Sequence, residues 1–197
     1  QAEGDYDHPR WDPFWRAAID LGLPLSFHIL TSGSDQLGSS AFRGPKMNAF
    51  LGIIRGCQDI IGTLIFGGVF ERNPELRVVC VEADAGWAPH WMYRADHAVD
   101  RHRNWLTSAK LSRRPSEYFR ANVYVTFQDD FVAFQMAHLC NAERLLWASD
   151  HPHSDSTFPL SQQVLAAHTA HLDPKTRDDI VWRNTARLYG LPGPAEA

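Results

Sequence analysis

Residues 67–96 read GGVFERNPELRVVCVEADAGWAPHWMYRAD. Inside this stretch a short apolar run, RVVCVEA at 77–83, closes on polar residues, the pattern of a strand buried in a parallel sheet. From about Trp87 the spacing of apolar residues becomes helical and stays so to about Arg103. Working outward, three more segments repeat the first pattern: 23–29 (LPLSFHI), 122–127 (NVYVTF) and 144–149 (RLLWAS). Helical periodicity fills the remaining intervals. One helix at 13–20 has Pro13 in a first-turn position and stops at Gly22. Others cover much of 47–70, with a break near Gly67 and Gly68, then 131–140, 159–171 and 174–189. The order is one helix, four strand–helix units and an additional terminal helix. Such alternation predicts an α/β fold with a parallel sheet and helices packed on its faces.

The 197 residues suffice for one domain with a sizeable core, and the expected boundaries are 1–197 with a loose tail over 191–197. Apolar residues make up 44% and charged ones 21%, an ordinary soluble composition. Nineteen Lys and Arg against 23 Asp and Glu give a formal charge of -4, which supplies no electrostatic reason to bind nucleic acid. No basic run would dock on an anionic membrane. The longest apolar stretch, 49–69, carries Arg55, Gln58 and Asp59, so a buried amphipathic helix is expected there rather than a membrane span. Cys57, Cys80 and Cys140 form no CxxC pair and read as small core residues of a cytoplasmic protein. The opening residues form no signal peptide and lack an initiator Met, as expected of a chain that begins inside a longer one.

Chemistry in parallel α/β folds gathers where strands end. The first strand ends in His28, the second in Glu82 and Asp84, the third in Gln128, Asp129 and Asp130, the last in Asp150, followed by His151 and His153. An imidazole and a carboxylate on one rim suit zinc or a harder divalent ion such as manganese. Pattern alone leaves His28 open between a ligand and a hydrogen-bonded core histidine. It also leaves Asp150 open between a ligand and a turn residue before Pro152. Glu82 and Asp84 follow a run so apolar that a partner or a task is expected of them.

Several segments together resemble the ACMSD-like amidohydrolases (amidohydrolase 2). Residues 7–29, DHPRWDPFWRAAIDLGLPLSFHI, are similar to the approach to that family's fifth barrel strand, and residues 67–96 to its sixth strand and following helix. NVYVTFQDD (122–130) resembles the seventh strand, LLWASDHPHSDSTFP (145–159) the eighth, and DDIVWRNTARLYGL (178–191) the closing helix. The resemblance implies a metal-dependent (β/α)8 TIM barrel of which this chain holds about strands five to eight. It implies one divalent ion, Zn2+ first and Mn2+ as the alternative, with His28 and Asp150 among its ligands. The family's first-strand His-x-His pair has no counterpart at a strand end here; His151-Pro152-His153 has the spacing but follows the strand-eight Asp. Glu82 stands where many decarboxylating relatives carry a His.

On this reading the protein is a metal-dependent hydrolase of a small carboxylated, aromatic or unsaturated acid, acting through a metal-activated water. Asp150 and Glu82 are the expected catalytic residues, Asp150 taking the proton of the attacking water and Glu82 orienting a ligand or shuttling a proton. Trp87, Arg94 and His153 are the expected substrate contacts, with His90 and Trp91 as further pocket candidates and helix packing the stronger expectation for Trp91. Arg94 has a structural alternative, pairing with Asp96 or Asp84. His97, His102, His138, His168 and His171 read as surface or packing residues. Non-oxidative decarboxylation by the same residues is the alternative chemistry. A non-catalytic barrel fragment for binding or assembly is the alternative class. A homo-oligomer, a dimer through the apolar helix at 49–66, is the expected assembly.

Overall fold

The computed structural model describes residues 4–30 and 44–193. Four strands form one parallel sheet in chain order: β1 (Leu25–His28), β2 (Val78–Val81), β3 (Val123–Phe127) and β4 (Leu145–Trp147). Each lies within its expected segment but is shorter, because ladder pairing stops short of the segment's ends.

Register sorts the side chains onto two faces. Phe27, Cys80, Val125 and Leu145 align in one row across the four strands, and this face packs against the helices. There it meets Ile61, Leu64, Phe70, Phe119, Phe134 and Ile180, all buried. The other face carries Ser26, Val79 and Tyr124 in one row, with Thr126 beside Leu146 in the next. A second, small core forms on it from Val79, Leu146 and Leu188, flanked by Val81 and Tyr124. The Arg144 guanidinium lies 4.4 Å over the Tyr124 ring. Ser26 and His28 on β1 stay exposed on this side. Among the described residues, β1 and β4 each pair with one strand only, so both sheet edges are open.

The apolar run after β1 becomes two helices, Lys46–Phe50 and Arg55–Phe66, separated by turns at 51–54. The run 46–66 is long and apolar enough to cross a membrane by composition, but half of it is buried in the fold. In the second helix Cys57, Ile60, Ile61, Leu64 and Ile65 face the core while Arg55 and Asp59 face solvent, the amphipathic division expected. Gly68 takes φ 74° between this helix and the turn Val69–Arg72, which accounts for the expected break at the glycine pair. The helix Ala88–His102 follows β2.

One helix lies outside the sequence reading, Pro115–Asn122, opened by Pro at its first position. Glu117 accepts the Arg114 N–H at 2.7 Å, closing its first turn. Asn122, expected to start the third strand, instead ends this helix and donates from Nδ2 to Pro74 O and Leu76 O. The expected helix at 174–189 is present, interrupted by a π-helical turn at Asp179–Arg183 between Pro174–Asp178 and Asn184–Tyr189. The expected helix at 131–140 divides at Met136. All three cysteines are buried thiols, as expected. The loose tail over 191–197 lies outside the described residues from 194 onward.

Candidate metal and active site

Where the strands end, the backbone turns sharply. Leu30, Glu82, Asp84 and Asp150 take left-handed φ values of 62°, 59°, 50° and 58°. Such a conformation costs an L-residue about 1–2 kcal/mol, so surrounding contacts must hold it. For Glu82 and Asp84 those contacts are visible. The Glu82 N–H donates to Thr126 Oγ1 at 2.7 Å. The Trp87 indole N–H reaches back to Ala83 O at 2.7 Å and Asp84 O at 3.0 Å. Asp130 Oδ2 accepts from the backbone N–H groups of Ala85 (2.8 Å) and Gly86 (2.7 Å), while its Oδ1 accepts from Ala133 N (2.9 Å). The loop after β2 is thereby fastened to the loop after β3. The loop after β4 is tied in turn by Gln128 Nε2 donating to Asp155 at 3.0 Å and Ser156 Oγ donating to Ser149 O at 2.7 Å.

These ties bring four side chains together. His28 Nε2 lies 2.7 Å from Glu82 Oε2. The other carboxylate oxygen of Glu82 lies 3.5 Å from His153 Nδ1, which stands 3.2 Å from Asp150 Oδ2. On its far side His28 Nδ1 meets Ile29 O at 2.8 Å. A carbonyl only accepts, so Nδ1 donates to Ile29 O and the ring is turned with Nε2 toward the Glu82 carboxylate. Asp150 Oδ2 is fully buried yet receives no hydrogen bond, since His153 approaches it outside hydrogen-bonding geometry. A buried anionic oxygen without a donor is a costly arrangement.

Glu82, Asp150 and His153 can each place one ligand atom within 4.8 Å of the others. Two carboxylates and an imidazole are donors a divalent ion accepts, and the orphaned oxygen of Asp150 is what a cation would satisfy. The residues therefore fit an ion. Around them the rim is strongly acidic. Asp84 has its pKa pushed up to about 6, first by burial and then by the charges of Asp130, Asp155, Asp129 and Glu82.

The expected residues are placed as follows. His28 and Asp150 lie on one rim, His28 against Glu82 and Asp150 against His153, and it is the approach of Glu82 to His153 that links the two. Trp87 is occupied in holding the loop after β2, and its ring packs edge-on against Phe119 at 6.1 Å. Trp91 packs on the same Phe119 at 5.6 Å. Arg94 is exposed on its helix. Asp96 is engaged by Arg114 at 3.1 Å and by Ser116, so Arg94 takes neither structural partnership expected of it among the described residues. His168 stands 3.7 Å from Asp129, and His171 Nε2 lies 3.2 Å from Phe134 O. Sequence reasoning missed Asp130 as the clamp of two loops, although its position before Phe131 at a helix start is an N-cap signal.

Comparison with known proteins identifies the family and similar folds. The sequence matches the family described as amidohydrolase over residues 1–191. The fold is similar to the crystal structure of 5-carboxyvanillate decarboxylase from Sphingomonas paucimobilis, with TM-score 0.81 and 25% identity over 98% of this chain and 56% of that one. It is also similar to an amidohydrolase from Mycobacterium avium subsp. paratuberculosis, with TM-score 0.76, 22% identity, and 93% and 46% of the two chains covered. A third is a dihydroxybenzoic acid decarboxylase from Polaromonas sp. JS666 with bound manganese and 2-nitroresorcinol, with TM-score 0.68, 21% identity, and 96% and 56% covered. The chain thus spans about half the length of these relatives.

Proposed function

The chain belongs to the amidohydrolase family, and we propose that it forms the C-terminal half, strands five to eight, of a metal-dependent barrel enzyme acting on a small carboxylated or aromatic acid. The observation that carries this is the group of Glu82, Asp150 and His153 at the strand ends, with the buried oxygen of Asp150 lacking a donor. A single domain over 1–197 completed by upstream strands accounts for the two open sheet edges. The three buried thiols fit a reducing compartment.

His28 and Asp150 are the residues that would hold the ion by their family positions. When bound, a divalent ion lowers the pKa of a water and polarises a substrate oxygen. Asp150 takes the proton released as water attacks, and the dense carboxylate rim favours a partly neutralised substrate over a free polyanion. Glu82, hydrogen-bonded through its backbone to Thr126, holds the His28 ring in place on one side and faces His153 on the other.

A second chemistry is favoured by a specific observation: two of the similar structures are named decarboxylases of aromatic acids. In that version Asp150 handles the proton delivered to carbon while the carboxylate of the substrate leaves as carbon dioxide. The test is turnover by the full-length protein, with and without chelator, on a panel of hydroxylated benzoic acids and on aromatic esters, amides and lactones. Chelator-sensitive release of carbon dioxide identifies the lyase, and chelator-sensitive cleavage of an ester, amide or lactone the hydrolase. A protein that turns over none of the panel at any metal loading would instead support a barrel fragment used for binding or assembly.

A further inference from the structure

We propose that the end of the sheet opposite the rim holds a second binding site, a basic pocket that takes a phosphate group, free or borne by a small molecule. This pocket shares no residue with the rim.

Its placement follows from the strands. Arg77 directly precedes β2, Arg144 directly precedes β4, and Tyr124 is the second residue of β3 between them. All three mark the starts of neighbouring parallel strands, whereas Glu82 and Asp150 stand just past the finishes. The rest of the lining comes mainly from the closing segment, through Lys175, Asp179 and Arg187. The cavity measures about 340 Å³, within the range that holds a small organic ligand.

Its charge is unbalanced. Four cations line the cavity, Arg77, Arg144, Lys175 and Arg187, against two carboxylates, Glu143 and Asp179. Asp179 is buried and already shared, its Oδ2 2.6 Å from Lys175 Nζ and its Oδ1 3.1 Å from Arg187. What holds the other two guanidiniums is neutral. Arg77 donates to Gly22 O at 2.5 Å. Arg144 donates from Nε to Arg120 O at 3.0 Å, and its guanidinium covers the Tyr124 ring. A carbonyl or a ring face fixes a guanidinium in position without cancelling its charge. Among the described residues a surplus of two positive charges therefore lines the cavity, in a chain whose formal charge is -4. A phosphate group carries about −1.5 to −2 at pH 7 on acceptor oxygens that suit the arginine fork, so it matches both the surplus and its geometry.

The backbone supplies an independent sign. Asp179 opens the π-helical turn Asp179–Arg183, set between two α-helical pieces. Turns of this kind interrupt regular helical hydrogen bonding and occur frequently at functional positions. Here the turn seats one buried carboxylate between Lys175 and Arg187, so that Asp179 positions both cations at the cavity.

The test is calorimetric titration of the full-length protein, stripped of metal with chelator and then freed of the chelator, so that no ion at the rim binds the probe. The probes are inorganic phosphate and phenyl phosphate. One saturable site is the expected result, with affinity weakened about tenfold or more in Arg77→Gln and in Arg144→Gln. Tighter binding of phenyl phosphate assigns the site to a phosphorylated molecule, and tighter binding of inorganic phosphate to the free ion. Affinity unchanged in both variants, or no saturable binding of either probe at millimolar concentration, would overturn the proposal. A wild-type crystal grown with phosphate decides the matter where a variant does not fold. The ion should lie within hydrogen-bonding distance of Arg77 and Arg144. An empty pocket, or a carboxylate from upstream sequence seated between those two arginines, would overturn the site.

Discussion

Asp130 Oδ2 accepts the backbone N–H of Gly86 at 2.7 Å, joining the end of β3 to the loop that follows β2. The same carboxylate serves Ala85 and caps the helix at Phe131–Gln135, so three charge-assisted hydrogen bonds depend on it. Asp130→Ala should lower unfolding free energy by about 2–4 kcal/mol, the sum of a lost cap and orphaned amides. Denaturant titration of the full-length protein measures this. A loss under about 0.5 kcal/mol would show that the loop keeps its shape unaided.

Gly86 also sits where a side chain has no room. A Cβ there would lie 2.8 Å from the Cβ of Val132 and 3.0 Å from Asp130 Oδ1. Gly86→Ala should therefore destabilise by about 1–3 kcal/mol, as overpacking does. Because the displaced loop carries Glu82, the variant should also bind metal more weakly. Normal stability together with normal metal affinity would contradict the close fit.

Asp150 offers the opposite outcome. Its φ of 58° suits glycine, and its Oδ2 is buried without a donor. Asp150→Gly should raise metal-free stability by about 1 kcal/mol or more while abolishing turnover, a trade of stability against function. Thermal unfolding in chelator, paired with an activity assay, checks both halves. A variant less stable than wild type would mean that the carboxylate supports the fold.

Asp84 makes stability depend on pH. Its folded pKa is raised to about 6, by burial first and then by neighbouring carboxylates, from an ordinary value of 3.8. The folded protein thus holds this proton more tightly than the unfolded chain. The stabilisation is present below the unfolded value and is lost as pH rises through about 6. In chelator, Asp84→Asn should raise the melting temperature at pH 7.5 and leave it nearly unchanged at pH 4. An equal shift at both values would assign the effect to something other than titration.

The four strands were legible because a parallel strand covered on both sides needs a continuous apolar run, as VVCV at 78–81 supplies. The rim positions of His28, Glu82 and Asp150 followed from where those runs stop. What the sequence could not show is contact across intervening strands. His153 meets Asp150 through a local turn, but both meet Glu82 only because β2 and β4 flank β3. Helix phase was similarly hidden. Arg94 falls on the exposed side of its helix, whereas Met92 and Ala95 face inward. The helix Pro115–Asn122 was readable in principle, since Pro115 and Glu117 carry a start signal, but its short length gave little periodicity.

Leu188 packs on Val79 and Leu146, and Asn184 Nδ2 on the same helix donates to Ala142 O and Leu145 O. The floor beneath the inward face of the sheet is therefore furnished by residues made long after β2. During synthesis, Val79 and Leu146 wait uncovered until the helix Asn184–Tyr189 leaves the ribosome. A nascent chain halted before that point would present a greasy, unfinished underside to chaperones and proteases, even with all of the rim residues of this chain already made.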